Sequence, residues 1–309
     1  MISLVMATYN GAKYIREQMD SILSQTLKPD EIIVVDDCSA DETVSILHEY
    51  KTKCNIKIYV NSENCGVNRN FEKAISLAEG DYIFISDQDD VWFPEKIKTT
   101  YEKLLEIEKG GPACVSSMAL DVDANLNVQV LDKKTKDAEY EMALYGNGSQ
   151  GCSLAFNKKL KDIVLPLSDK FIYDHYIGVF SCFLGERYTI GKPLMYYRHH
   201  GNNVVSSSMN KYHRGLSEAM AIYYLLKRKE RFYLLQYLSE NKRDFIPEKK
   251  IPLFEKTFKF YNVSSHFQMI KNVFKNKYYS LRVKFFFVVF VFSLLFLKNR
   301  RVTTMEKPF

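Results

Sequence analysis

Glycine is scarce in this chain, 13 of 309 residues. No Gly-x-Gly-x-x-Gly turn follows the first apolar run, where Thr8-Tyr9-Asn10-Gly11-Ala12 stands instead. The fingerprint of a nicotinamide-dependent dehydrogenase is therefore missing. Six cysteines (Cys38, Cys54, Cys65, Cys114, Cys152 and Cys182) form no Cys-x-x-Cys pair. That spacing excludes a zinc ribbon or a dense disulfide framework and reads as scattered reduced thiols. A spanning helix needs roughly 20 apolar residues, and the run at 285–297 has only 13. The chain opens on the strand-like Ile2–Ala7, with no basic stretch before an apolar segment and no cleavage site. No signal peptide is expected. Internal repeats and long low-complexity tracts are also missing.

What is present is ordinary in bulk and uneven in charge. The composition, 46% apolar and 26% charged, is that of a globular protein. The length suits one large α/β domain plus an appendage. Residues 1–210 carry 22 Lys+Arg against 30 Asp+Glu, about −8, whereas 211–309 carry 21 against 7, about +14. The two parts face different partners. An acidic first part suits a cation; a basic, aromatic second part suits anionic lipid headgroups or nucleic acid. The run 285–297 is flanked by Arg282, Lys284, Lys298, Arg300 and Arg301. It reads as an interfacial anchor or as a helix buried at an interface. Its Phe/Val content favours lipid, so no nucleic-acid partner is expected.

Apolar runs and helical patterns alternate through the first half. Strands are predicted at Ile2–Ala7, Ile32–Val35, Ile56–Val60 and Tyr82–Ile85, with helices over 13–24, 41–51 and 69–78 between them. That order implies βαβ units, right-handed crossovers and a parallel sheet. All four runs end in polar residues, among them Thr8-Tyr9-Asn10, Asp36-Asp37 and Ser86-Asp87. In an open α/β sheet, such strand ends assemble the ligand site. Later, Cys114–Met118, Val128–Leu131 and Ser153–Phe156 read as strands, 133–141 as a charged loop, and 171–184 and 218–238 as helices.

The acids concentrate in Ser86-Asp87-Gln88-Asp89-Asp90-Val91-Trp92, three carboxylates within four residues at the end of an apolar run. Their mutual repulsion is costly unless a cation sits among them. A solvated acidic turn is the plainer alternative.

Three segments taken together carry a resemblance. Val5-Met6-Ala7-Thr8-Tyr9-Asn10, then Val34-Val35-Asp36-Asp37-Cys38-Ser39-Ala40-Asp41-Glu42-Thr43, then the Asp87-x-Asp89 turn resemble the inverting family-2 glycosyltransferases, most closely their bacterial rhamnosyltransferase-like branch. Asn64-x-Gly66-x-x-Arg69-Asn70 and Tyr196-Tyr197-Arg198-His199-His200-Gly201-Asn202-Asn203 extend it over roughly residues 1–210. Cys38 replaces the usual glycine, a departure expected to be mild. The resemblance implies the GT-A fold, a nucleotide-binding α/β/α sandwich, over 1–210. A basic helical region is expected over 211–309.

The resemblance also implies roles. Thr8, Tyr9 and Asn10 line the base pocket. Asp37 accepts a hydrogen bond from a uracil or thymine N3–H, its alternative being a helix cap. Arg69 grips the diphosphate or orients Asp87, unless it is merely exposed. Asp87 and Gln88 face the donor. Asp89 ligates Mg²⁺ or Mn²⁺, His200 (or else His199) adds a ligand, and Asp90 caps the following helix. Asp174, in Phe171-Ile172-Tyr173-Asp174-His175-Tyr176, is the general base, with Asp169 its competitor. Gly148-Ser149-Gln150-Gly151-Cys152-Ser153 forms a small-residue loop near the donor sugar.

The expected activity is metal-dependent, inverting transfer of a sugar from a UDP- or dTDP-sugar to a glycan or polyprenyl-linked saccharide. The expected setting is bacterial surface polysaccharide synthesis, with the protein cytoplasmic and held at the inner face of the cell membrane. A processive synthase would carry Gln-x-x-Arg-Trp and several spanning segments, yet the single tryptophan, Trp92, lies in the acidic turn. A non-catalytic glycan- or nucleotide-binding protein on a degenerate transferase fold is the other class. It would be signalled by loss of one of these acids, and all are present.

Overall fold

The computed structural model describes residues 1–129, 150–201 and 230–261. Two compact units divide the chain, Met1–His200 and Gly201–Phe309.

The first unit is built on β1 (Ile2–Thr8), α1 (Ile15–Leu23), β2 (Glu31–Asp36), α2 (Thr43–Glu49), β3 (Ile56–Val60), α3 (Val67–Leu77) and β4 (Tyr82–Ser86). Then come β5 (Val91–Trp92), α4 (Lys96–Glu108), β6 (Ala113–Val122), β7 (Leu154–Asn157), α5 (Lys158–Val164), α6 (Tyr173–Leu184) and β8 (Glu186–Arg198). Eight strands form one sheet in the order β3-β2-β1-β4-β7-β6-β8-β5. Pairings β3–β2, β2–β1 and β1–β4 are parallel, as the βαβ pattern requires. The β4–β7, β7–β6 and β8–β5 pairs are antiparallel, and β6–β8 is parallel.

All six residues of β2 are buried because helices cover both faces of this part of the sheet. Leu4, Met6, Ile32, Val34 and Phe84 share a core with Ile15, Met19 and Ile22 of α1. Val5, Ile33, Val35, Ile83 and Ile85 are also buried, and α3, with buried Phe71, Ala74 and Ile75, packs on β1 and β2. The chain leaves β1 toward β2 and β3, then returns to the other side of β1 as β4. That reversal opens a crevice beyond the carboxyl ends of β1 and β4, where the acidic turn lies.

The four expected strands stand within a residue of their predicted ends. The helices run shorter or shifted by one or two residues at each end: the stretch expected as helix to residue 51 ends at Glu49 and tightens into a 3₁₀ turn, Tyr50–Thr52. The long strand β8 was not legible. It carries buried Arg187, Thr189 and Arg198, with Gly191 and Pro193 at its middle, so no apolar alternation marks it. Its pairing with β6 shifts register beside Met118, which pairs with Pro193. Val128 makes a single antiparallel bridge to Val122, and the rest of the strand expected at 128–131 lies outside the described residues, as does the loop 133–141.

In the second unit, α7 spans 230–241 and α8 spans Ile251–Tyr261. Leu234, Leu235, Leu238, Phe254 and Thr257 are buried, and the Phe232 ring centroid lies 5.6 Å from that of Phe258. The helix expected over 218–238 is described only from 230. Among the described residues, no helix is long and apolar enough to cross a membrane. The run 285–297 lies outside them.

Candidate active site

The crevice is assembled from the end of β1, the turn after β2, the acidic turn after β4, the start of α6 and the end of β8. At β1, the buried Thr8 hydroxyl donates to Asp36 Oδ2 at 2.7 Å. Thr8 thus shapes the strand end from inside. Tyr9 is 48% exposed. Its backbone is clasped by Gln88: Tyr9 N donates to Oε1 (2.9 Å) and Nε2 donates to Tyr9 O (3.0 Å). The clasp needs Gly11, because a Cβ there would lie 2.1 Å from Gln88 Oε1. Asn10 has φ +48° and its Oδ1 accepts from Ala40 N at 2.9 Å, tying the β1 turn to the β2 turn.

In the β2 turn, Asp37 is buried and accepts three hydrogen bonds. Asn61 Nδ2 (2.9 Å) and Cys65 N (2.8 Å) donate to Oδ1, and Gly66 N (2.8 Å) donates to Oδ2. A carboxylate has about four acceptor sites, of which the described residues fill three. Cys38 has φ +65°. That is the left-handed region, which glycine enters most readily and which Cys38 adopts here as well.

The acidic turn is pinned from beneath. Arg198, 1% exposed, sends Nε to Asp89 O (2.8 Å), Nη1 to Ala124 O (2.7 Å) and Nη2 to Glu17 Oε2 (2.5 Å), with its guanidinium over the Tyr14 ring at 4.7 Å. Buried Gln18 lies 2.7 Å from Ser86 Oγ. With its amide turned to satisfy every neighbour, its nitrogen donates to Asp90 O (2.6 Å) and its oxygen accepts from Trp92 Nε1 (3.2 Å). In the sequence Arg198 stands in the motif before His200 without a role of its own, and no signal marks Gln18.

Asp89 and His200 meet: Nε2 lies 2.7 Å from Oδ2, and the ring stacks on Tyr14 at 4.8 Å. His199, the alternative, pairs instead with Asp121 at 2.9 Å. Asp87 is half-buried, and desolvation, then Asp89, then Asp174 push its carboxyl up to about 7. Asp90 is fully buried; its Oδ1 accepts from Arg198 N (3.3 Å), and among the described residues its Oδ2 has no hydrogen-bond partner. Burial, followed by Asp87 and Asp89, holds it well above the carboxylate range. Asp90 therefore belongs to the acidic cluster and does not cap α4. Ligand atoms of Asp87, Asp90 and Cys152 lie within 4.8 Å of one another. Burial next to Asp90 and Asp87 pushes the Cys152 thiol well up, so it is a poor ligand for a hard cation. Lys96, buried behind the cluster, is pushed down to about 8 by desolvation. The oxygen-rich set with one imidazole, crowded carboxylates and an orphaned buried oxygen fits Mg²⁺ or Mn²⁺.

Asp174 lies in the first turn of α6, half-buried, and close enough to Asp87 to act on its protonation. The Tyr173 hydroxyl packs on Gly151, where a Cβ would lie 1.9 Å from its oxygen. Arg69 pairs with Asp169 at 3.2 Å, both side chains exposed. Of the small-residue loop, 148 and 149 lie outside the described residues. The structure thus draws Asp87, Asp89, His200 and Asp174 together; Asp37 holds the start of α3, while Arg69, on that helix, is joined to Asp169 and not to the acidic turn among the described contacts.

The sequence pattern described as glycosyl transferase family 2 matches residues 3–163. The chain is 30% identical over 221 residues to the dTDP-rhamnosyl transferase RfbG of Shigella flexneri, a match covering 66% of this chain and 75% of that protein. Over 101 residues it is 38% identical to the poly(ribitol-phosphate) beta-N-acetylglucosaminyltransferase TarS of Staphylococcus aureus, which spans 31% of this chain and 17% of that protein. The solved TarS 1–349 with UDP-GlcNAc superposes with a TM-score of 0.60 at 20% identity, covering 94% of this chain and 79% of that one. A mannosyltransferase from Pyrobaculum calidifontis, solved with GDP-Man and Mn²⁺, gives 0.57 at 14% identity over 97% and 81%. Both share the fold, which is of the GT-A type.

Proposed function

The chain belongs to glycosyl transferase family 2, and on that premise we propose that it is a metal-dependent inverting transferase using a UDP- or dTDP-sugar. The observation that carries this reading is the convergence of Asp87, Asp89, His200 and Asp174 at the β1/β4 switch point, beside the turn that holds Asp37. An acidic crevice of this kind repels a diphosphate unless a cation intervenes.

In this reading the fourth acceptor site of Asp37 takes the N3–H of uracil or thymine, and the Thr8–Asn10 turn lines the base. Gln88 holds that turn against the acidic turn, so base and diphosphate are placed by one rigid unit. Asp89 and His200 would hold Mg²⁺ or Mn²⁺, which when bound neutralises the departing diphosphate. The acceptor hydroxyl attacks the anomeric carbon on the face opposite the diphosphate. Its oxygen bonds to that carbon, the carbon–oxygen bond to phosphate breaks, and its proton passes to the Asp174 carboxylate. A nucleoside diphosphate leaves and the anomeric configuration inverts. The acceptor is a glycan or polyprenyl-linked saccharide. The catalytic part is 1–210, and the basic region 211–309, through 285–297, holds the protein at the inner face of the cell membrane.

The test is release of nucleoside diphosphate from dTDP-rhamnose and UDP-GlcNAc with Mn²⁺. Turnover by the wild type, with a loss of about 10²–10⁴-fold in Asp174→Asn and unchanged donor binding, supports the assignment. Full turnover in that variant removes Asp174 as the base.

A further inference from the structure

Helix α6 begins without a cap of its own. Its N-cap position is Ile172, whose side chain makes no capping hydrogen bond. The first amide of a helix needs a partner from elsewhere when buried, and Tyr173 is buried. That partner comes from another helix. Asn68, the second residue of α3, accepts from Tyr173 N at 3.0 Å through Oδ1 and donates Nδ2 to Phe171 O at 2.7 Å. Both faces of its amide are used, on the two backbone groups that flank Ile172.

Other residues of α3 reinforce the grip. Phe71, three residues on and so on the same face, stacks on the Tyr173 ring at 4.1 Å. Glu72 Oε1 accepts from Leu167 N at 3.2 Å, and Arg69 pairs with Asp169. The whole approach to α6 is laid along α3. At its own start, α3 is held by the nucleotide turn: Cys65 N and Gly66 N donate to Asp37, and Gly66, with φ +86°, turns the chain into the helix.

We propose that Asn68 is the positioning residue of the general base, capping α6 in trans so that Asp174 is set in place by the same helix that the base-binding Asp37 anchors. The inference rests on Asp174 being the base, and Asn68 itself touches no reacting atom. Asn68→Ala removes both hydrogen bonds and leaves Asp37, Asp89 and His200 untouched. Asn68→Asp keeps an acceptor for Tyr173 N–H and loses the donor to Phe171 O.

The experiment measures nucleoside diphosphate release from dTDP-rhamnose and UDP-GlcNAc with Mn²⁺ in the full chain, for both variants, for Asp174→Asn and for Asn68→Ala/Asp174→Asn. Amide hydrogen exchange over 171–176 is followed in parallel, after thermal unfolding has shown each variant folded. The expected result is a fall of about 10-fold or more in kcat for Asn68→Ala with donor KM unchanged, following the sensitivity of rate to small misplacements. Asn68→Asp recovers part of it, exchange at Tyr173 speeds up, and Asn68→Ala costs nothing further once Asp174 is Asn. Unchanged exchange at Tyr173 overturns the trans cap. Faster exchange with unchanged kcat overturns the positioning role while Asp174→Asn still loses turnover. Should Asp174→Asn turn over normally, the base assignment fails and the positioning claim with it; unaltered Tyr173 exchange would show separately that the cap is wrong. If Asn68→Ala fails to fold, Asn68→Asp carries the same comparison.

Discussion

His200 Nε2 lies 2.7 Å from Asp89 Oδ2, across 111 residues of sequence. The contact joins the last residue of the first unit to the middle of the acidic turn. Arg198, two residues earlier, bonds the backbone of Asp89, so the end of β8 fixes both ring and carboxylate. A carboxylate and an imidazole therefore face each other on rigid supports. His200→Ala is expected to weaken Mn²⁺ binding by at least the roughly 10- to 100-fold that outer-shell partners cost, measured by calorimetry on the sugar-free protein. Equal affinity in the variant would remove His200 from the ligand set.

Asp87 gives the site a pH dependence with a definite sign. Its folded carboxyl titrates at about 7, against an ordinary value near 4. The folded state holds that proton more tightly than the unfolded chain. Stability of the cation-free protein therefore falls as pH rises from about 4 to about 7 and levels above. Asp90, also raised, acts in the same direction. Thermal melting with chelator should show this decline, and Mn²⁺ should flatten or reverse it. A melting temperature that climbs over the same range with chelator would contradict the crowding of these acids.

Cys38 sits in the left-handed region at φ +65°. A non-glycine residue there costs roughly 1–2 kcal/mol, partly offset by the flexibility that glycine adds to the unfolded chain. Cys38→Gly is expected to stabilise the protein by about 0.5–1 kcal/mol in urea unfolding. A loss of stability would mean that the thiol contributes more than its 3.8 Å contact with Ser62 O.

The parallel half of the sheet was readable because its strands are short apolar runs ending in polar residues, the pattern of strands covered on both faces. The acids Asp37, Asp87 and Asp89 stood out for a related reason, since they follow apolar runs, whereas Asp174 was singled out by the resemblance alone. The supports were not. Arg198, Gln18 and Asn68 are single polar residues whose partners lie far off in sequence: Asn68 reaches across 103 and 105 residues. No local spacing announces such contacts. Strand β8 was hidden for a related reason: its buried positions mix Arg187, Thr189 and Arg198 with Ile190, Leu194 and Met195, and its partner β6 is distant in sequence.

The tail carries its own prediction. Removing 285–309 deletes the apolar run and its downstream basic flank. The shortened protein is expected to move from the membrane to the soluble fraction while keeping donor turnover. Unchanged fractionation would favour an interface role for that segment.

The central claim is that donor and cation bind together at the acidic turn. The most direct test is thermal unfolding of the wild type and Asp89→Ala with dTDP- and UDP-sugars, with and without Mn²⁺. A ligand selective for the folded state raises its stability in proportion to its affinity. The account predicts that one donor class stabilises the wild type only with Mn²⁺ and leaves Asp89→Ala unshifted. Equal stabilisation of both proteins, or a donor shift indifferent to Mn²⁺, would contradict it.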